Sequence, residues 1–211
     1  MEGMYDTVHQ VPDAAALFAL ASDQAGYFTS AQARTCGYDW RLLSYHTGTG
    51  RFIRLRRGLY RFRDYPSSRH EEVMAAWLAV GREHAAVSHE SALDLLDLSD
   101  AIPDRVHLTV PRSRRGIVAP SGAVLHTTMH PLSPDEIMTK NGIRLTEPMR
   151  AILDAAETGT ASEQIILAIR QARTRGWIDD RKLRLEARVR GPRIADLVEC
   201  SFQEVYALSY R

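Results

Sequence analysis

Arginine is the residue whose type and spacing point most directly to a chemical task in this sequence. Residues 34–63 contain eight arginines and one acid, Asp39, a local balance of 8 − 1 = +7, whereas the 211-residue chain carries a net charge of +1. Guanidinium groups bind phosphate bidentately, and neutralising phosphates supplies most of the sequence-independent affinity of proteins for DNA. The concentration of arginine therefore predicts a nucleic-acid contact in this stretch.

The segment 51–63, RFIRLRRGLYRFR, predicts a basic β-hairpin. With Arg57 and Gly58 as the turn, Leu55 faces Tyr60 and Arg54 faces Arg61, so that one face is apolar and the other basic. A type I turn with a glycine bulge would shift this pairing by one residue, and we let the hydrophobic pattern decide the register. Like charges facing each other favour an anion between them, and phosphate is such an anion. The predicted DNA contacts are Arg51, Arg54, Arg56, Arg57, Arg61 and Arg63.

Three helices are expected before the hairpin. The first follows Pro12 and buries Leu17, Phe18 and Leu20; the second, SAQARTC, starts at a Thr29 or Ser30 cap and ends at Gly37; the third starts at an Asp39 cap and ends at Gly48. Helical spacing turns Leu42, Leu43 and His46 of the third helix inward. Two short helices about a glycine turn, followed by a hairpin, predict a winged helix-turn-helix. Its helices would contact DNA through Thr29, Ser30, Gln32, Trp40, Arg41, Ser44 and Tyr45. The alternative is that Trp40 packs on the hairpin and Arg41 is solvated.

A change of composition after Tyr65 predicts two domains, a winged helix-turn-helix over residues 1–65 and an α+β domain over 66–211 with a small, mostly antiparallel sheet. Its expected strands are 106–110, 124–129 and a hairpin over 137–146 around Asn141-Gly142. Its expected helices are 69–81, a segment capped by Ser88, another capped by Thr146, 162–176, 179–190 and one from Pro192. The loop 111–116 is a possible second basic contact through Arg112, Arg114 and Arg115.

The remaining patterns point away from catalysis. The sequence contains no G-x-S-x-G, Walker loop or His-Glu-x-x-His, and the histidines lack the spacing of a zinc site, so we expect neither an enzyme nor a cofactor or metal. Cys36 and Cys200 are expected to be buried free thiols, which favours a reducing cytoplasm. No apolar run approaches the roughly 20 residues that span a bilayer.

The order of motifs resembles the AbiEi-type antitoxins of bacterial toxin–antitoxin pairs. The residues that carry the likeness are GYFTSAQA, the hairpin motif RLRRGLYR, VSHESALDLL, VHLTVP and TEPMRAILDAA, over about residues 15–198. The resemblance implies a winged helix that represses its own operon by binding inverted repeats, with the hairpin match covering Arg54, Arg56, Arg57, Gly58, Tyr60 and Arg61. It also implies a C-terminal domain that neutralises a nucleotidyltransferase-like toxin, directly or indirectly.

Three other functions stay open at this stage. The protein could be a stand-alone repressor whose second domain senses a ligand, which a hydrophobic pocket with convergent polar groups would favour, or interacts with another protein. The second domain could be a nucleic-acid enzyme, which would need carboxylates clustered around a divalent ion. The basic hairpin could instead bind an acidic protein, which predicts weak, sequence-blind affinity for DNA.

Overall fold

Side-chain caps set the starts of the first three helices. The computed structural model describes residues 11–128 and 132–208, with side chains up to Gln203, and the chain divides after Ala79 into two units. Helix α1 (Ala14–Ser22) starts at Asp13, α2 (Ser30–Thr35) at Thr29 and α3 (Trp40–Gly48) at Asp39, and each capping side chain accepts a hydrogen bond from a backbone N–H of the first turn. The helices and caps predicted at Thr29 and Asp39 are confirmed.

A three-stranded antiparallel sheet completes this part of the first unit. Strand β1 (Tyr27–Thr29), which the sequence analysis did not predict, pairs with β3 (Leu59–Phe62), and β3 pairs with β2 (Phe52–Arg56), giving the order β1-β3-β2. Phe28 and Phe52 are fully buried, with ring centroids 5.0 Å apart. Aromatic packing between the outer strands therefore fills the core.

The register of the hairpin differs from the prediction. Arg56 pairs with Leu59 as expected, but a bulge at Leu55 shifts the rest, so that Arg54 pairs with Tyr60 and Ile53 with Arg61. Gly58 adopts a positive φ and Arg57 does not. A two-residue type I′ turn needs positive φ at both central residues. The backbone of Arg57 therefore excludes this turn, which the predicted register had assumed. The turn chemistry, rather than the hydrophobic alternation alone, decided the pairing.

The shift changes which apolar side chains are buried. Phe52 is fully buried, whereas Ile53 and Leu55, predicted to lie in the core, are 36% and 42% exposed. Phe18 was also predicted to be buried and is half exposed, although its ring meets Phe62 edge-on with centroids 5.4 Å apart. These three expectations are wrong.

Helix α4 (Glu71–Val80) explains why the division of the chain falls later than the predicted boundary after Tyr65. Glu71 accepts a hydrogen bond from Arg61 at 3.2 Å, which ties the start of this helix to the hairpin. The predicted helix over 69–81 is confirmed to within two residues at its start.

The second unit contains a mixed sheet rather than the mostly antiparallel one predicted. Its strand order is β6-β5-β4-β8-β7, in which β4 pairs antiparallel with β5 and parallel with β8, β5 pairs parallel with β6, and β7 pairs antiparallel with β8. The strands are β4 (Ala86–Val87), β5 (Val106–Pro111), β6 (Ala123–Thr128), β7 (Ile137–Lys140) and β8 (Ile143–Thr146). The parallel pair β5–β6 forms because a longer connection with a 3₁₀ turn separates these strands, in place of a tight turn.

Five helices accompany this sheet, close to their predicted positions. They are α5 (His89–Leu95), α6 (Pro148–Thr158), α7 (Ser162–Thr174), α8 (Asp180–Arg190) and α9 (Pro192–Leu208). Ser88 is the N-cap residue of α5 as predicted, although its side chain makes no capping bond, whereas the predicted cap of α6 is wrong, because Glu147 rather than Thr146 caps that helix. The predicted turn at Asn141-Gly142 is confirmed, since both residues have positive φ.

Two further predictions concern single residues and the membrane. Cys36 is buried as expected, but Cys200 is exposed. Among the described helices, none is long and apolar enough to cross a bilayer. Met129, the expected last residue of β6, lies outside the described residues.

Gly26 provides a test of how closely the first unit is packed. This residue has a φ of +83°, and a methyl group on its Cα would lie 2.6 Å from Cβ of Tyr65. We expect Gly26→Ala to lower the free energy of unfolding by about 1–3 kcal/mol from overpacking, with about 1–2 kcal/mol more from the left-handed backbone. Urea unfolding followed by circular dichroism measures this change.

Gly48→Ala is the matched control, because Gly48 is helical and has nothing within 4 Å of an added Cβ. This variant should be neutral or more stable by up to about 1 kcal/mol. Equal stability of the two variants would contradict the close approach of Tyr65 to Gly26.

Candidate nucleic-acid interface

Helix α3 presents the predicted outward face. Trp40 is 73% and Tyr45 63% exposed, and Arg41 and Ser44 are exposed as well, whereas Leu43 is buried. The guanidinium of Arg41 lies 5.5 Å from the centre of the Trp40 ring. The alternative in which Trp40 packs on the hairpin does not occur, and the face offers aromatic and cationic groups together.

The inward side of α3 is anchored on the sheet. His46 lies with its ring centroid 5.1 Å from that of Phe52. Burial, together with the nearby charge of Arg51, lowers the pKa of His46, so the imidazole is neutral at pH 7. The contact between α3 and the sheet fixes the orientation of the exposed face of this helix.

Most of the predicted arginines of the hairpin are available to a ligand. Arg51, Arg54, Arg57 and Arg63 are exposed, and Arg56 is half-buried. The side chain of Arg63 is also held in place by the hairpin itself, because its Nε donates a short hydrogen bond to the carbonyl of Gly50. Together with α3, these side chains form what we call the basic face, made of Trp40, Arg41, Ser44, Tyr45, Arg51, Arg54, Arg56, Arg57 and Arg63.

Arg61 does not belong to the basic face, which corrects its predicted outward orientation. Its side chain is 12% exposed, and its Nη2 donates to the carbonyls of Tyr65 and Pro66 at 2.8 and 3.1 Å and to Glu71 at 3.2 Å. Its guanidinium also lies 5.4 Å from the centre of the Tyr27 ring. The bulge at Leu55 placed this residue opposite Ile53, and the contacts make it part of the framework.

The start of α2 likewise uses its polar groups internally. Thr29 and Gln32 form a reciprocal capping box, in which Gln32 Oε1 accepts from Thr29 N at 2.8 Å and Thr29 Oγ1 accepts from Gln32 N at 3.2 Å. Gln32 Nε2 also donates to Gln24 Oε1 at 2.8 Å. The backbone N–H of Ser30 donates to the carbonyl of Gly58 at 2.9 Å, which joins α2 to the hairpin turn. We therefore leave these three predicted contacts out of the basic face.

The second basic cluster lies in the second unit. Arg112, Arg114 and Arg115 are exposed on the 3₁₀ turn after β5, and Arg114 Nη2 lies 2.6 Å from Nε2 of His84. A role in binding phosphate stays a prediction for this loop.

The second unit also contains a polar cavity that the sequence analysis did not predict. Its volume is about 690 Å³, and among its lining residues Leu125 and Val189 are the apolar ones. At its centre the buried carboxylate of Asp154 accepts from Arg150 Nε and from Arg190 Nη1, each at 2.8 Å. Burial opposes the charge on Arg150, but Asp154 and Glu136 outweigh it and raise the pKa of the guanidinium.

Three histidines meet beside this cavity. His89, His107 and His126 each place a ring nitrogen within 4.8 Å of those of the other two. Burial, the largest cause for each, lowers all three pKa values, that of His89 to about 2. Spacing along the chain could not reveal this cluster, because α5, β5 and β6 contribute one histidine each. The signal available in the sequence was that His107 and His126 each lie in a segment predicted to be a strand.

Residues 15–63 match a family model described as "Transcriptional regulator, AbiEi antitoxin". The match confirms the resemblance over most of the first unit. No curated protein shows significant sequence similarity to the chain. Among solved structures, the chain is similar to the crystal structure of the RV2827C protein from Mycobacterium tuberculosis, with a TM-score of 0.59 and 15% identity over 88% of this chain and 75% of that one. At this identity the likeness concerns the fold alone.

The contacts of Arg61 predict that it stabilises the protein. We expect Arg61→Ala to lower the free energy of unfolding by about 1–3 kcal/mol, because the buried acceptors at Tyr65 and Glu71 lose a charged donor. The matched variant Arg54→Ala removes an exposed arginine of the same hairpin and should change stability by less than about 0.5 kcal/mol. Thermal unfolding of both variants compares them, and equal stability would contradict the framework role of Arg61.

The network around Asp154 predicts a larger effect. Asp154 pairs with Arg150 and Arg190, whose guanidiniums are both largely buried. We expect Asp154→Asn to cost about 3–5 kcal/mol, because it leaves these two cations without their shared carboxylate.

Asp180→Asn is the control for the Asp154 variant, since Asp180 pairs with Arg173 at a more exposed site. This substitution should cost about 0–1 kcal/mol, as is usual for ion pairs near the surface. Chemical denaturation measures the free energy of unfolding of the Asp154 and Asp180 variants and compares them. A small effect at Asp154 would show that Glu136 and Glu157, the other carboxylates paired with Arg150 and Arg190, are enough to compensate the two guanidiniums.

Proposed function

We propose that the first unit is a winged helix-turn-helix that binds operator DNA, and that the protein acts as a transcriptional repressor and antitoxin. The observation that carries this proposal is the exposure of Trp40, Arg41, Ser44 and Tyr45 on α3 together with that of the arginines of the hairpin. Two short helices followed by a hairpin are the elements that such a domain needs. The family match to residues 15–63 supports the same function.

The proposal divides the work between two sets of side chains. Hairpin arginines neutralise phosphates and position the protein, since phosphate contacts carry no direct sequence information. The outward residues of α3 enter the major groove, where an arginine can pair with the O6 and N7 atoms of guanine. Two copies on an inverted repeat would match the symmetry of the operator.

We assign the antitoxin role to the second unit, acting in the cytoplasm on a nucleotidyltransferase-like toxin, directly or indirectly. This assignment rests on the family resemblance. We also propose that the protein has no catalytic activity of its own, because its sequence contains no G-x-S-x-G, Walker loop or His-Glu-x-x-His motif. The alternative of a repressor with a ligand sensor gains a specific observation in the cavity of about 690 Å³. The sequence-based expectation for a ligand sensor was a hydrophobic pocket with convergent polar groups, and the mostly polar lining of this cavity favours a small polar or charged effector.

The first experiment is a salt titration of binding to the DNA just upstream of the gene, against a scrambled duplex of equal length. We expect tight, repeat-dependent binding with a steep salt slope. Arg54→Ala should weaken binding to both duplexes and reduce the slope by about 0.9, whereas Arg41→Ala should relax preference at one base pair by roughly 1–3 kcal/mol.

Arg188→Ala is the control for charge, because it removes an exposed arginine from the second unit. It should leave both affinity and slope unchanged. Equal affinity of the wild-type chain for both duplexes would refute the operator-binding proposal. Equal effects of the Arg41 and Arg54 variants at every base would refute the division of work.

The antitoxin proposal is tested separately, by co-expressing the chain with the product of the neighbouring gene. Growth should be rescued by the wild-type chain. A variant with weakened DNA binding, such as Arg54→Ala, should also rescue growth when it is expressed from an unrelated promoter. Failure of the wild-type chain to rescue a toxic neighbour would leave a plain repressor, with or without an effector in the cavity.

A further inference from the structure

The three histidines converge on one face of the mixed sheet, next to the cavity. His107 on β5 and His126 on β6 lie on adjacent parallel strands, with Nδ1 of the first 3.0 Å from Nε2 of the second. His89, the first residue of α5, stacks on His126 with ring centroids 3.6 Å apart. Three imidazoles in mutual contact are an unusual arrangement for side chains that contribute packing alone, since each keeps a polar nitrogen near another.

The distances suit a bound transition-metal ion. A tetrahedral ion with metal–nitrogen bonds of about 2.0–2.1 Å places its nitrogen ligands about 3.4 Å apart. That separation lies between the 3.0 Å contact of His107 with His126 and the 4.8 Å limit for the cluster. Ring lone pairs lie in the ring planes, so the ring of His126 must turn about its Cβ–Cγ bond, relative to the stacked ring of His89, for both rings to aim at one point. A rotation of this kind needs no movement of the backbone.

The surroundings of His89 resemble the support that metal ligands receive. Its Nδ1 lies 2.8 Å from Oγ of Ser88, and that oxygen accepts a hydrogen bond from Thr109 at 2.8 Å. Both hydroxyl residues are buried. This contact holds the ring through Nδ1 and leaves Nε2 for an ion, which is how outer-shell groups orient histidine ligands.

The backbone of His89 adopts a conformation that is uncommon for residues other than glycine. Its φ is positive, in the left-handed region, as it also is at Asn141 in the β7–β8 turn. That conformation costs a non-glycine residue about 1–3 kcal/mol and occurs at functional sites as well as in turns. The residue follows Ser88 after β4 and begins α5 in this conformation. The fold therefore maintains a strained backbone at the point where the imidazole joins the other two.

The cavity beside the cluster carries a net negative charge. The cavity is lined by four carboxylates, of Glu136, Asp154, Glu157 and Glu186, and by the guanidiniums of Arg150 and Arg190, a balance of 2 − 4 = −2. Asp154 accepts from both arginines, which neutralises the nearest positive charges. His89 and His126 also line the cavity, so an ion held by the imidazoles would face it.

We propose that the second unit binds one divalent transition-metal ion of the Zn²⁺ class through His89, His107 and His126, with its remaining coordination position open to the cavity. Imidazole is a ligand that Zn²⁺, Co²⁺ and Ni²⁺ accept readily, whereas Mg²⁺ and Ca²⁺ prefer oxygen. Three protein ligands and one open position would let a small anion or water complete the coordination from the cavity. This proposal does not depend on the DNA-binding function of the first unit.

The test uses the full chain, freed of metal by a chelator and titrated with Co²⁺ and with Zn²⁺. We expect one equivalent of Co²⁺ to produce the visible absorption of a tetrahedral nitrogen site, and Zn²⁺ to displace it. His107→Gln and His126→Gln should each weaken binding by at least about 100-fold, beyond the roughly 10–100-fold cost of losing an outer-shell group.

His84→Gln is the matched control, because His84 is exposed and lies outside the cluster. It should bind metal like the wild-type chain. X-ray absorption of the Zn²⁺-loaded wild-type chain provides a measurement that does not depend on whether the variants fold, and it should report three imidazole ligands. The proposal is overturned by the absence of saturable binding, by equal binding in the His84 and His126 variants, or by fewer than three imidazoles around zinc.

Discussion

The guanidinium of Arg61 joins the hairpin of the first unit to the chain that follows it, and this contact ties the start of α4 to the sheet. A charged group that is largely buried requires partners. The carbonyls of Tyr65 and Pro66 and the carboxylate of Glu71 supply them. The bulge at Leu55 shifts the register, so that Arg61 pairs with Ile53 and Arg54 pairs with Tyr60. The two arginines are therefore no longer cross-strand partners, and Arg61 is bound within the first unit whereas Arg54 is exposed.

The first unit combines a rigid, buried aromatic core with polar side chains that are exposed on α3 and the hairpin. Phe28, Phe52 and Phe62 meet with ring centroids 5.0–5.4 Å apart, and the caps at Thr29 and Asp39 fix where α2 and α3 begin. Since the orientation of α3 is set by buried contacts, its exposed side chains are free to differ without loss of the fold. This separation would suit a protein that recognises a DNA sequence, because its base specificity could change while the buried core stays the same.

In the second unit, the buried residues His89, Thr109 and Asp154 lie around one cavity. Asp154 connects two arginines, and the three histidines lie beside it as neutral groups, because burial lowers their pKa values. Such a network is stable when its members are satisfied, and it is expensive when one is removed. The network and the open cavity make this region suited to bind a small charged species, which distinguishes it from an apolar effector pocket.

The sequence by itself determined the local features of this protein. Capping residues, glycine stops and helical spacing located α2, α3 and most later helices, and the Asn141-Gly142 turn located the β7–β8 hairpin, because these signals act over a few residues. The outward face of α3 followed from its helical period. Tertiary structure decided what depends on distant partners. The hairpin register followed its turn, Arg61 turned inward to Glu71, and β5 and β6 paired in parallel. The three histidines met because strand pairing, which spacing along the chain does not encode, brought separate elements together.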